Sequence, residues 1–177
     1  MIDISRALKC NGWMEPEELE YLAQAASKSR RIVEIGSWAG RSATCIAGHT
    51  KGTLHCVDTW ERALVHYNGA VLEPTLFSEF LQNTAGLPVI PVMTESLRAV
   101  EWFKASGQTF DMIFIDANHE GPAVRADILA WRELLEPGGI LCGHDFGCPS
   151  WMDVEVVVKE LIPKFHLVHT IWIADEL

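Results

Sequence analysis

The stretch that most constrains this chain is residues 31–42, where a short apolar run gives way to glycine and then to a helix-forming segment. Ile32, Val33 and Ile35 are bounded by charge on one side and glycine on the other, the pattern of a strand buried in a parallel sheet. Gly36 ends the run, and Gly36 and Gly40 together allow a tight turn and a close approach of backbone to a ligand. Residues 41–48 read as the helix that completes the unit. A dinucleotide would need bare backbone at the third and sixth positions counted from Gly36. Those positions hold Trp38 and Arg41, and an indole there argues against a nicotinamide or flavin dinucleotide.

Further strands are expected at residues 53–57, ending at Asp58, and at 89–93, 112–115 and 140–142. Pro91 makes the 89–93 strand an edge or bulged one. Helices are expected at 15–28, with Pro16 in its first turn, at 74–84, from 94–96 onward and at 152–162. Pro122 opens another helix with an inner stripe of Val124, Ile128, Trp131 and Leu135, which Pro137-Gly138-Gly139 is expected to end. Ahead of the first helix, Trp13 and Met14 suit a hydrophobic staple better than a pocket wall. The tail at 165–173 supplies one or two closing strands. Alternation of this kind gives an α/β fold in three layers, a doubly wound, mostly parallel sheet with ligands outside the carboxyl ends of its strands. Residues 1–177 read as a single domain.

With 24 acidic against 14 basic residues the net charge is -10, so nucleic acid and anionic membrane are poor partners. Cys10, Cys45, Cys56, Cys142 and Cys148 lack metal-ligand spacing, and Cys56 and Cys142 fall in apolar runs, which suits a reducing cytoplasm. No apolar run approaches membrane-spanning length.

The strand ends carry the chemistry. Asp58 lies about 20 residues beyond the glycine turn, placed to accept hydrogen bonds from ribose hydroxyls, or simply to face solvent. Asp116, Asn118, His119 and Glu120 follow one strand, and His144 and Asp145 follow the next. Two carboxylates with imidazole nearby suit Mg²⁺ and equally Mn²⁺ or Fe²⁺, the plainer alternative being caps and hydrogen bonds between loops.

An acid at Glu34, a spacer, Gly36, three residues and Gly40 resemble the first motif of the class I S-adenosylmethionine-dependent methyltransferases. Phe114-Ile115-Asp116-Ala117-Asn118-His119-Glu120, Val124-Arg125-Ala126-Asp127, Trp131, Pro137-Gly138-Gly139 and Gly143-His144-Asp145 look like the small-molecule O-methyltransferases that include macrocin-type sugar methyltransferases. The resemblance implies the Rossmann-like methyltransferase fold and S-adenosylmethionine as cofactor. It implies cofactor contacts at Glu34, Gly36, Ser37, Trp38, Gly40, Asp58, Thr59, Thr94, Glu95, Ser96 and Asp116. It also implies a divalent metal on Asp116 and Asp145, with His144 in the other position of the acidic pair, and His119 as catalytic base. His144 departs from the acid usual there and lowers the negative charge of the site.

On that resemblance the chain transfers a methyl group to the hydroxyl of a small molecule, selected by the irregular segment 60–86. A facial Fe²⁺ triad in an oxygenase or hydroxylase is one alternative, though it leaves Glu34 and the Gly36 turn without a role. A cofactor-binding module without catalysis is another. Small domains of this kind often dimerise, so a homodimer is expected alongside the monomer.

Overall fold

Side-chain parity along the central strands sets the layers. Ile32, Leu54, Met112 and Phe114 point into one apolar core, and Val33, Ile35, Ile113 and Ile115 point into the other. The computed structural model describes residues 2–61, 66–67, 70–71 and 75–176. In it the strands are β1 (Arg31–Ile35), β2 (Thr53–Asp58), β3 (His66–Tyr67), β4 (Ala70–Val71), β5 (Val89–Met93), β6 (Phe110–Ile115), β7 (Leu135–Gly143), β8 (Lys164–Val168) and β9 (Ile171–Glu176). The helices are α1 (Pro16–Ala26), α2 (Arg41–His49), α3 (Thr75–Asn83), α4 (Ser96–Ser106), α5 (Gly121–Trp131) and α6 (Met152–Leu161).

Among the described residues, a seven-stranded sheet runs in the order β5-β2-β1-β6-β7-β9-β8, and β3 pairs with β4 separately. Pairing is parallel from β5 to β7, and β9 pairs antiparallel with both β7 and β8. The order reverses between β1 and β6, and that topological switch is where such sheets bind ligands. Residues of α1, α2 and α3 fill the first core, and those of α4, α5 and α6 fill the second. No helix of the described residues is long and apolar enough to cross a membrane.

The sequence reading holds for the elements around the switch and shifts further along the chain. Pro91 sits on the edge strand β5, opposite Cys56, where a missing N–H costs no ladder bond. Pro137-Gly138-Gly139 does not end the α5 helix. That helix stops at Trp131, a 3-10 turn follows at Arg132–Leu134, and the Pro-Gly-Gly run lies inside β7. There the register against β6 slips between Phe110 and Met112, and Gly138 takes a φ of 76°. The run is therefore a bulge signal, in which glycine absorbs the extra residue. The tail forms two full strands, β8 and β9, not the shorter 165–173 piece, and β9 inserts beside β7. Met14 is buried, whereas Trp13 lies on the surface at 78% exposure and stacks on Trp38 with ring centroids 4.6 Å apart. In the segment expected to select the substrate, residues 62–65, 68–69 and 72–74 lie outside the described residues.

Candidate active site

Three backbone hydrogen bonds place the strand ends side by side at the switch. The Gly36 N–H donates to Val57 O (2.8 Å), Asp116 N–H to Ile35 O (2.8 Å), and His144 N–H to Ile115 O (3.1 Å). The glycine turn, Asp58, Asp116 and His144 thereby line one crevice. Gly36 has φ 88°, and a Cβ there would lie 2.0 Å from the Asp116 carbonyl oxygen. Its bareness serves the packing of β1 against the β6 exit. Gly40, also at φ 88°, caps α2 in the left-handed region, where an added Cβ would press on the Phe80 ring at 3.0 Å.

Around the turn, Asp58 organises the backbone. Its carboxylate accepts the N–H of Trp38 (2.8 Å) and the N–H of Trp60 (2.8 Å), while the Trp60 indole N–H donates to Trp38 O (2.9 Å). Each oxygen retains acceptor capacity for a further donor. Trp38 holds φ 43°, unusual for a side-chain-bearing residue, and its ring packs on Trp13. Arg41 donates to Met14 O and Cys10 O, drawing the N-terminal segment toward the start of α2.

Glu34 is fully buried on the α1–α2 face of β1, opposite Cys56, whose thiol lies 3.6 Å from Oε2. Burial pushes its carboxyl up to about 7, against the pull of the nearby Ser37 and Ser42 hydroxyls. Its Oε1, like the buried Ser37 hydroxyl, lacks a well-formed hydrogen bond. Two such atoms beside a ligand-facing turn are suited to a polar donor from outside the chain.

The charged centre lies across the crevice. His119 Nε2 stands 2.7 Å from Asp145 Oδ2 and 3.4 Å from Asp116 Oδ1, and the Trp151 ring stacks on the imidazole at 4.6 Å and 21°. His144 is buried, with Nδ1 3.7 Å from Asp116 Oδ2 and 3.5 Å from Asp145 Oδ2, and Nε2 3.2 Å from Glu18 Oε1. Atoms of Asp116, His144 and Asp145 lie within 4.8 Å of one another, close enough to share one cation. Two carboxylates and one imidazole are a donor set for Mg²⁺, Mn²⁺ or Fe²⁺. Burial works against charge on His119, but Asp116 and Asp145 outweigh it and lift its pKa to about 9. His144, likewise opposed by burial, is lifted to about 12 by Asp116, Asp145 and Glu18. Despite burial, the two imidazoles hold Asp145 well below the usual carboxylate range.

Not every residue singled out in the sequence reaches this crevice. Thr94 N–H donates to Asp58 O (3.1 Å), which brings the β5 exit to the β2 exit, and Glu95 rather than Thr94 caps α4. The Thr59 hydroxyl takes the Glu61 N–H at 3.3 Å. Ser96 instead serves the α4–α5 interface, donating to Asp127 and accepting the Trp131 indole N–H at 2.8 Å.

The sequence signature of a family described as "Methyltransferase domain" matches residues 33–146, from β1 past the end of β7. The chain belongs to that family. The methyltransferase also shares its fold with solved structures. One is the O-methyltransferase TomG from Streptomyces achromogenes, involved in tomaymycin synthesis and solved in complex with SAM. It is 21% identical, with a TM-score of 0.66 over 86% of this chain and 70% of that one. An O-methyltransferase from Bacillus cereus in complex with SAH is 18% identical, with a TM-score of 0.64 over 91% and 80% of the two chains. A TDP-rhamnose 3'-O-methyltransferase of calicheamicin biosynthesis is 13% identical, with a TM-score of 0.64 over 88% and 76%. No curated protein matches the chain. The oxygenase and the inert binding module are not favoured once the family is known.

Two residues that touch this charged centre escaped the sequence. Trp151 gave no signal beyond standing ahead of α6. Glu18 reads as a first-turn acid of α1, yet it is 1% exposed and faces His144. The one hint was its spacing from Glu15, whose N–H it accepts at 2.8 Å in a capping box.

Proposed function

We propose that the methyltransferase moves the methyl group of S-adenosylmethionine to a hydroxyl oxygen of a small molecule, with Asp116, His144 and Asp145 holding a divalent metal and His119 acting as base. The observation that carries this reading is the position of His119, whose Nε2 pairs with Asp145 Oδ2 at 2.7 Å in the crevice that begins at the Gly36 turn. The SAM and SAH complexes of the two structural relatives support the cofactor. So do the buried Glu34 Oε1 and Ser37 hydroxyl, which lack a well-formed hydrogen bond.

Glu34 and Ser37 suit the polar methionine end of the cofactor, and Asp58 the ribose hydroxyls. S-adenosylmethionine supplies an activated methyl, and the metal a Lewis acid that lowers the pKa of a coordinated hydroxyl. The chain then has to align the acceptor oxygen and take its proton. His119, lifted to about 9 by Asp116 and Asp145, is protonated at neutral pH while both carboxylates bear on it alone. With a cation held by Asp116, His144 and Asp145, those carboxylates would hold the His119 proton less firmly, and Nε2 would be the group to accept a proton from the substrate hydroxyl. Trp151 covers one face of the imidazole and keeps its edge toward the carboxylates.

His119→Ala should abolish methyl transfer while calorimetry still records cofactor binding. Equal loss of both would remove His119 from the role of base. The net charge of -10 supports a small-molecule acceptor over nucleic acid and is compatible with a cytoplasmic setting. A homodimer goes with this reading and is checked by size-exclusion chromatography.

A further inference from the structure

Glu18 is a charged side chain in a place that α1 has no need to fill with charge. It is 1% exposed, yet its pKa falls to about 2, because the nearby His144 ring and hydrogen bonds from Thr170 and the Glu15 N–H outweigh burial. Its Oε2 closes the capping box on the Glu15 N–H. Its Oε1 takes the Thr170 N–H (3.1 Å), the Thr170 hydroxyl (2.5 Å) and a contact with His169 Nδ1 (3.0 Å), and His144 Nε2 stands 3.2 Å away, at ion-pair distance without a well-formed hydrogen bond. A buried carboxylate is expensive unless fully paired, and a cap or an interhelical tie could be made with far less charge. The contact with His144 gives that charge a use. With Nε2 turned toward Glu18, Nδ1 faces Asp116 and Asp145, the other members of the three-residue cluster.

We propose that Glu18 is the positioning residue of the metal centre: it fixes the His144 ring so that Nδ1 is presented to a cation shared with Asp116 and Asp145. This rests on the metal reading of the site given above. A ligating histidine whose other nitrogen is held by a carboxylate binds metal about 10- to 100-fold more tightly than one without that partner. The pairing also compensates for the neutral ligand at position 144, because the outer carboxylate restores basicity to the ring.

Two measurements test the assignment. In metal-free wild-type protein, His144 Nε2–H should give a far-downfield proton resonance in slow exchange with water, the mark of an imidazole N–H held by a buried carboxylate. Its absence overturns the proposal and needs no variant to be seen. In calorimetry with Mn²⁺, Glu18→Gln should weaken binding at least about tenfold. Thr170→Val, which cuts the tie to the hairpin but leaves His144 its partner, should lower Tm and change Mn²⁺ affinity by less than about twofold. Equal Mn²⁺ affinity in wild type and Glu18→Gln, or equal weakening in both variants, makes Glu18 a structural tie only and overturns the proposal. Should wild type take up no Mn²⁺, Mg²⁺ or Fe²⁺ while the resonance is present and Glu18→Gln abolishes it, the metal reading fails and Glu18 still positions His144.

Discussion

Asp127 is a carboxylate that folding leaves worse off. It is 5% exposed, with the Ser96 hydroxyl as its partner, and burial raises its pKa from 3.8 to about 6. The folded chain therefore keeps the proton longer than the unfolded one. The resulting stabilisation is full below the unfolded value and is lost as pH rises through about 6, a cost on the order of 2–3 kcal/mol once the group is ionised. Asp127→Asn keeps an acceptor for Ser96 without the charge. Its unfolding free energy from denaturant titration should exceed that of wild type at about pH 8, and the gap should narrow below about pH 6 and close toward about pH 4. At position 36 the expectation has the opposite sign. A methyl group 2.0 Å from the Asp116 carbonyl oxygen, at φ 88°, leaves Gly36→Ala destabilised by roughly 3 kcal/mol or more, read as a fall in urea midpoint. Residues such as Asp116, His119 and Asp145 were legible in the sequence because strand ends and local spacing place them. Glu18 was not, because its partners His144 and Thr170 are distant in sequence and a first-turn acid reads the same whether solvated or buried.

The elements differ in how much local sequence decides them. In α2, Gly48 lies inside the helix, and an added Cβ would meet nothing within 4 Å. Gly48→Ala should therefore raise stability by about 0.5–1 kcal/mol, a gain in Tm that scanning calorimetry would register. The strands of the switch were readable because two-sided burial forces unbroken apolar runs, as in Met112, Ile113, Phe114 and Ile115. The Pro-Gly-Gly run was not, since the same residues end a helix or bulge a strand and only pairing with β6 decides between them. The closing hairpin was underestimated for a related reason. In β8, Phe165, His166 and Leu167 alternate weakly, and their strand character comes from pairing with β9.

At the scale of the molecule, the charged centre ties α1, β6, β7 and the hairpin together and should leave its mark on stability. Glu18, lowered from 4.5 to about 2, contributes stability that is complete above its unfolded value and lost as pH falls through about 2. His119, raised from 6.5 to about 9, contributes stability that is complete below its unfolded value and lost as pH rises through about 9. Metal-free protein in chelator should therefore lose Tm as pH falls below about 4.5, where Glu18 takes up its proton, and as pH rises above about 6.5, where His119 gives up its own. In the Asp127→Asn background the alkaline fall should persist, since His119 and His144 share it, and His119→Ala should make it shallower. The sheet order and the family followed from alternating strands and a glycine turn, both local signals. The acceptor did not, because the segment expected to choose it carries no periodic pattern.

The central claim is that the Gly36 turn, with Asp58 beside it, binds S-adenosylmethionine, and calorimetric titration of wild type and Asp58→Ala with that cofactor tests it most directly. The account predicts saturable one-to-one binding to wild type and at least about tenfold weaker binding to a folded Asp58→Ala, for the loss of hydrogen bonds to a charged acceptor. No heat of binding in wild type, or the same affinity in both proteins, would contradict it.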